Sequence, residues 1–478
     1  MPSTPTLALP RAVVSRAAVP IAAAPALHAD TRRWAALAVG SLVIAGLLSL
    51  AVVVGRLPVL SRIIDDPLFF KRCLVVHVDL ALVVWFYAFM AGLLALRSGN
   101  RASRVATAAF AVAVGGVGAM LAGGLVRGAQ PVLANYVPVI DHPLFGAGLA
   151  AFFGGTLVYF VHALAAPATR GRPEMPADAT FGLQAAAVLV VIAAATWVSA
   201  RAGLPDGLDV YTRAEFLAWG PGHVLQAANA AAMLAVWLWL IERATGARVL
   251  SHRAACWIFG ALVVPQAAMP VLTVRGTLDS LYHTGATQLM RWGIFPAIAV
   301  VFGLTLVHLR RHRGGPRSAS ARVALTGFGA SAALAILGLV LGACIRSSTT
   351  LVPAHYHASL GAVTVAFMTA AYFVCELVRR GRGGDGLAER GWRAAGRQLA
   401  VFGVGQTVFV LGFAIGGVYG LGRKTYAAEQ HVRGAGEMTG LIVMGLGGLV
   451  AVAGGLWFLF LVLREMRGWW RARAAARA

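Results

Sequence analysis

An all-α, polytopic membrane bundle of about twelve helices follows from three observations on this chain. Of its 478 residues 59% are hydrophobic and only 12% charged, and the mean hydropathy is +0.75, far too apolar for a soluble globule. The apolar residues fall into stretches of the roughly 20 residues that cross a bilayer core. The arginines gather in alternate connecting segments.

Taken in order, the predicted spans lie at about residues 34–55, 71–96, 103–127, 144–165, 180–200, 215–241, 253–273, 286–308, 322–345, 355–379, 397–420 and 436–463. Arg32 and Arg33 precede the first, and Arg97, Arg101 and Arg104 follow the second. Arg243, Arg248 and Arg253 follow the sixth, and Arg310, Arg311, Arg313, Arg317 and Arg322 the eighth. Arg379, Arg380 and Arg382 follow the tenth. The positive-inside rule makes these segments and both termini cytoplasmic, as an even number of spans requires. The formal net charge of +23 is therefore topological and does not call for a nucleic-acid partner. Residues 1–30, rich in Ala and Pro, read as a flexible tail ahead of a membrane domain over 31–478, without the pattern of a signal peptide. The expected location is a bacterial inner membrane, with several passes. The four cysteines, Cys73, Cys256, Cys344 and Cys375, form no Cys-x-x-Cys-His, so no c-type heme attaches here.

Imidazoles are costly inside a bilayer, and on this topology five fall at one depth. His77 lies about one to two turns into the second span, His223 near the outer start of the sixth, His283 between the seventh and eighth, and His355 and His357 open the tenth. Successive helices run in opposite directions, so histidines placed for packing alone would not align at the outer end. Side chains at i and i+2 of a helix diverge by about 200°, so His355 and His357 point to opposite sides and one helix can serve two hemes. His357 with His77 would bracket a low-spin heme, and His355 would hold a high-spin heme facing His223 and His283.

These segments resemble the catalytic subunit of the heme–copper oxidase superfamily, in order along nearly the whole membrane portion. Leu-Val-Val-His77-Val-Asp-Leu resembles the low-spin heme segment of the second helix. Trp219-Gly-Pro-Gly-His223 resembles the segment carrying the first ligand of the metal beside the high-spin heme. His355-Tyr-His357-Ala-Ser-Leu-Gly resembles the His-x-His motif, implying His355 on the high-spin and His357 on the low-spin iron. Tyr419-Gly-Leu-Gly-Arg423-Lys424 resembles the outer loop whose two basic residues hold heme propionates. Asn135-Tyr136-Val-Pro138 with His142-Pro143 resembles an outer loop of the B-type members.

The departures from the family pattern carry information too. Tyr282-His283-Thr-Gly-Ala-Thr287 resembles the paired-histidine segment with its first histidine replaced by tyrosine, leaving His223 and His283 as imidazole ligands of the second metal. The third ligand is Tyr282 as phenolate, Gln226 or water, unless Tyr282 is structural. The phenol that dioxygen reductases of the family cross-link to the sixth-helix histidine is missing, because the two matching positions are Ala227 and Gly276. Nitric oxide reduction needs no such phenol. Glu242 and Glu376 are the only carboxylates near the inner half of the bilayer, so protons are expected from the outer side.

The resemblance thus implies a terminal respiratory oxidoreductase with two hemes of unspecified type and one non-heme metal, copper rather than iron for want of a carboxylate ligand on the sixth helix. It would reduce nitric oxide to nitrous oxide. The alternatives are a cytochrome c oxidase-like dioxygen reductase using Tyr282, a gas-binding heme protein without turnover, and a transporter. Electrons would come from a periplasmic subunit, cupredoxin-like or a cytochrome c.

Overall fold

The computed structural model describes residues 29–54, 66, 68–98, 103–166, 174–312, 314, 317–381, 385–423 and 432–475. The tail proposed for 1–30 lies almost wholly outside the described residues, as does Lys424. Among the described residues twelve helices are long and apolar enough to cross a membrane. They are α1 (Ala29–Val52), α2 (Phe69–Arg97), α3 (Arg104–Gly124), α4 (Pro143–Ala165), α5 (Ala177–Ala202), α6 (Val210–Thr245), α7 (His252–Thr273), α8 (Ser280–Arg311), α9 (Ala319–Cys344), α10 (Leu351–Arg380), α11 (Glu389–Val418) and α12 (Ala435–Trp469).

Every predicted span has its helix, and the differences are at the ends. Several helices extend beyond their apolar stretch because polar caps start them early. Asp209 accepts from Tyr211 N–H and Thr212 N–H at the head of α6, and Asp279 from Leu281 N–H at the head of α8. His283, expected in a connecting segment, is thereby in the first turn of α8.

Helices pair through small residues, as expected where lipid offers no hydrophobic drive. Gly116 and Gly148 bring α3 and α4 into backbone contact, and Gly405, Gly412, Gly447 and Gly454 do the same for α11 and α12. The most enclosed helices are α6 and α10, each buried over 83% of its most apolar window, followed by α2 at 72%. No other span exceeds 50%. Those three are the helices that carry His223, His355 and His357, and His77. Between α3 and α4 the chain makes a short hairpin, β1 (Gln130–Val132) and β2 (Val139–Asp141), antiparallel with Pro131 opposite Ile140.

Candidate heme and metal centre

Pro221 breaks the ladder of α6, since it has no N–H to donate and its ring crowds the preceding turn. A side chain from α8 is inserted there. The Tyr282 hydroxyl accepts from Gly220 N–H at 2.8 Å and donates to the Phe216 carbonyl at 2.5 Å, the two groups that would bond each other in an uninterrupted helix. Gly220 leaves the room: a Cβ there would lie 2.7 Å from Tyr282 Cε2. Tyr282 is fully buried and its hydroxyl is committed to the α6 backbone.

Gly222 makes the second vacancy in this turn, and the ring of Tyr136 occupies it. Tyr136 sits at the tip of the hairpin in the left-handed region, φ 66°, an uncommon conformation for a residue with a side chain. Glu215 holds the loop by accepting from the Asn135 backbone N–H (2.7 Å) and side-chain amide (2.9 Å). The Tyr136 hydroxyl reaches His223 Nε2 at 3.0 Å. Burial, with Glu215 and Tyr282 nearby, pushes the Tyr136 phenol up from its ordinary value.

The histidines share a pattern. His223 Nδ1 meets the Trp219 carbonyl at 2.7 Å, His355 Nδ1 the Gly338 carbonyl at 2.7 Å and His77 Nδ1 the Ala45 carbonyl at 2.8 Å. A carbonyl only accepts, so each Nδ1 carries the hydrogen and each Nε2 keeps a lone pair to offer. His283 has the opposite arrangement, with Nε2 donating to the Thr277 carbonyl at 2.9 Å, which leaves Nδ1 as its donor nitrogen. His223 and His283 both pack on the indole of Trp219, with ring centroids 5.0 and 5.2 Å away.

His355 and His357 do leave α10 on opposite sides. His355 faces α9, where Gly338 and Gly342 make space and a Cβ on Gly342 would lie 2.7 Å from its Nδ1. His357 faces α11, stacked on Phe413 (5.3 Å, 9°) and edge-on to Phe409 (5.1 Å). His77 of α2 lies nearby. Arg423 donates from Nε to Ser348 Oγ at 2.9 Å, and the adjoining Leu421 carbonyl accepts from Thr350 N–H, so this loop is tied to the outer start of α10. Gln226 is half-buried one turn beyond His223.

Sequence reasoning left two residues out of the site. Tyr136 was noted only as part of a loop. Asp79 is fully buried two residues after His77, opens a π turn (Asp79–Val84), and among the described residues has no hydrogen-bond partner for either carboxylate oxygen. A lone Asp inside Leu-Val-Val-His-Val-Asp-Leu was the available signal, since intramembrane carboxylates are rare. Among the described residues no three His, Cys, Asp or Glu side chains form a metal group. The carbonyl-fixed rings of His77, His223, His283 and His355 each leave one ring nitrogen able to ligate, which fits heme and metal binding.

Three comparisons bear on this arrangement. The family model for cytochrome c and quinol oxidase polypeptide I matches residues 31–451. Among curated proteins, an uncharacterized protein of Aquifex aeolicus (strain VF5) is 30% identical over 352 residues, 71% of this chain and 83% of its own length. An uncharacterized protein of Rickettsia prowazekii (strain Madrid E) is 22% identical, over 91% of this chain and 95% of its own. Among solved structures, one described as a heme–copper terminal oxidase dimer superposes with a TM-score of 0.60 over 91% of this chain and 83% of that one; at 13% identity this speaks to the fold. The long family match, the twelve-helix bundle and the histidines of α2, α6, α8 and α10 agree: this chain belongs to the cytochrome c and quinol oxidase polypeptide I family, as a heme–copper oxidase subunit I-like membrane protein.

Proposed function

We propose that this terminal respiratory oxidoreductase reduces nitric oxide to nitrous oxide at the outer end of the bundle. His77 and His357 would hold a low-spin heme, His355 a high-spin heme, and His223 and His283 a non-heme metal, with Arg423 and Lys424 on the propionates. When bound, these groups supply electron transfer and a paired site for two gas molecules. The chain's contribution is to fix the rings: each Nδ1–H on a carbonyl sets the tautomer and aims Nε2. Two nitric oxides, two electrons and two protons give nitrous oxide and water, and no phenol radical enters that balance.

The observation that carries this reading is the environment of the tyrosine. Position 227 on α6 is a buried alanine, and the Tyr282 hydroxyl, the alternative phenol, is bonded into the α6 backbone. The inner half supports it as well. Glu376 is buried in an ion pair with Arg380 one turn on, and the Tyr372 hydroxyl donates to Gln398, whose amide donates to the Gly454 carbonyl. Tyr372 and Gln398 are tied to neighbours, and Glu376 to Arg380 through one oxygen, the other being buried without a hydrogen bond among the described residues; the paired groups support protons drawn from the outer side. Electrons would arrive from a periplasmic cupredoxin-like or cytochrome c subunit.

A dioxygen-reducing reading is favoured by one observation, the Tyr136 hydroxyl at 3.0 Å from His223. Turnover of the purified complex with a reduced donor separates the two. Nitric oxide consumption with stoichiometric nitrous oxide, faster than dioxygen consumption, supports the proposal; the reverse order rejects it.

A further inference from the structure

The second metal has two imidazoles and needs a third donor, and the geometry points to one that neither the α6 nor the α8 motif contains. We infer that Tyr136, at the tip of the α3–α4 hairpin, is the oxygen ligand of that metal, completing a set of His223, His283 and one phenolate. The assignment deepens the proposed function and rests on His223 and His283 being a metal pair.

The argument begins with the nitrogen. His223 Nδ1 is spent on the Trp219 carbonyl, so a metal must bind at Nε2, and the atom already facing Nε2 is the Tyr136 hydroxyl oxygen, 3.0 Å away. Two ligands each about 2.0–2.1 Å from one metal, at an angle of roughly 90–110°, stand about 3 Å apart. The separation here is that of an O–H···N hydrogen bond, which already holds the Tyr136 oxygen against the one His223 nitrogen left for a metal. A metal at Nε2 would otherwise have to expel the hydroxyl from its place. Ligation replaces the O–H bond by an oxygen–metal bond, and the proton leaves to water at the outer side.

The surroundings are built to hold the ring there. Gly222, one residue before His223, has no side chain where the Tyr136 ring lies, and Trp219 packs edge-on against that ring at 6.0 Å. The loop keeps its left-handed tyrosine because Asn135 makes two hydrogen bonds to the Glu215 carboxylate of α6. Tyr282 cannot take this part, since its hydroxyl both donates and accepts within the opened α6 turn.

The test uses the purified, heme-loaded protein and reads metal content and spectra alongside turnover. Non-heme metal per protein is measured by elemental analysis during titration with EDTA, for wild type, Tyr136→Phe and Gly222→Ala. Tyr136→Phe keeps the ring and should retain both heme spectra while losing the non-heme metal at an EDTA concentration lower by about tenfold or more. A wild-type-minus-variant difference spectrum of the oxidised protein should show a phenolate-to-metal charge-transfer band. Gly222→Ala displaces the ring without removing the hydroxyl and should weaken metal retention in the same direction, which keeps the test open if Tyr136→Phe fails to assemble. Tyr136→Phe holding its metal as tightly as wild type, without the band, overturns the ligand assignment and leaves the two-histidine metal intact. A wild-type protein with two hemes and no non-heme metal overturns the metal site itself.

Discussion

At the scale of single residues the account stands on which ring nitrogen is free. His77, His223 and His355 each have Nδ1 on a backbone carbonyl, so each offers Nε2 outward. Replacing His77 or His357 by Ala should remove the low-spin heme signal with the protein still in the membrane, and His355→Ala should remove the high-spin signal instead. Optical spectra of the reduced and oxidised variants check this, and two spectrally normal hemes in all three would refute the assignment. Removing the charge of Arg423 favours the oxidised, more positive heme, so Arg423→Gln should lower the low-spin potential. The whole of one charge-assisted hydrogen bond, about 1.5–3 kcal/mol or roughly 65–130 mV for one electron, bounds the shift from above, and because both oxidation states of the heme share most of it the shift should be on the order of tens of millivolts. Tyr282→Phe deletes the hydroxyl that bridges Gly220 N–H and the Phe216 carbonyl. It should cost about 1–3 kcal/mol of stability in thermal unfolding, with both hemes retained. The histidine candidates were legible in the sequence because imidazole is expensive in lipid, and on the predicted topology five of them fall toward the outer end. Tyr136 was not legible as part of the site, because its contact with His223 joins residues 87 positions apart through a hairpin whose fold no local pattern announces.

At the scale of elements, the Trp-Gly-Pro-Gly-His run is one device with four parts. Pro221 opens the turn, Gly220 admits Tyr282, Gly222 admits Tyr136, and His223 is the residue they surround. The sequence announced the motif, and the two tyrosines that complete it lie on other elements. Span positions were legible from hydropathy alone, whereas the true ends were not, because caps such as Asp209 and Asp279 extend helices past the apolar stretch. The outer end of α2 is held by Arg72, which is buried, donates to the Gly124 and Ala129 carbonyls and pairs with Asp66. The hydrogen bond from Arg72 holds the Asp66 carboxyl below the usual carboxylate range. Its stabilisation is complete above the unfolded value of about 3.9 and fades as pH falls through the lower folded value. Asp66→Asn should therefore flatten the loss of thermal stability in acid. An unchanged slope of melting temperature against pH in that variant would contradict the clamp.

At the scale of the molecule, polar chemistry and enclosure coincide. The most buried helices, α6, α10 and α2, carry four of the five histidines, and toward the inner end the Glu376–Arg380 pair and the Tyr372–Gln398 hydrogen bond tie α10 to itself and to α11. A bundle arranged this way should take its electrons and its protons from the same side and so do no electrical work. Alternate arginine-rich segments made an orientation arguable, and the missing phenol at Ala227 a choice of gas, before any contact was known. The central claim is tested most directly in proteoliposomes supplied with a reduced donor on the outer side, following both gases by electrode and the membrane potential by a dye. The account predicts nitric oxide consumed faster than dioxygen, nitrous oxide formed, and no potential built. Rapid dioxygen consumption, or a potential that grows with turnover, would contradict it.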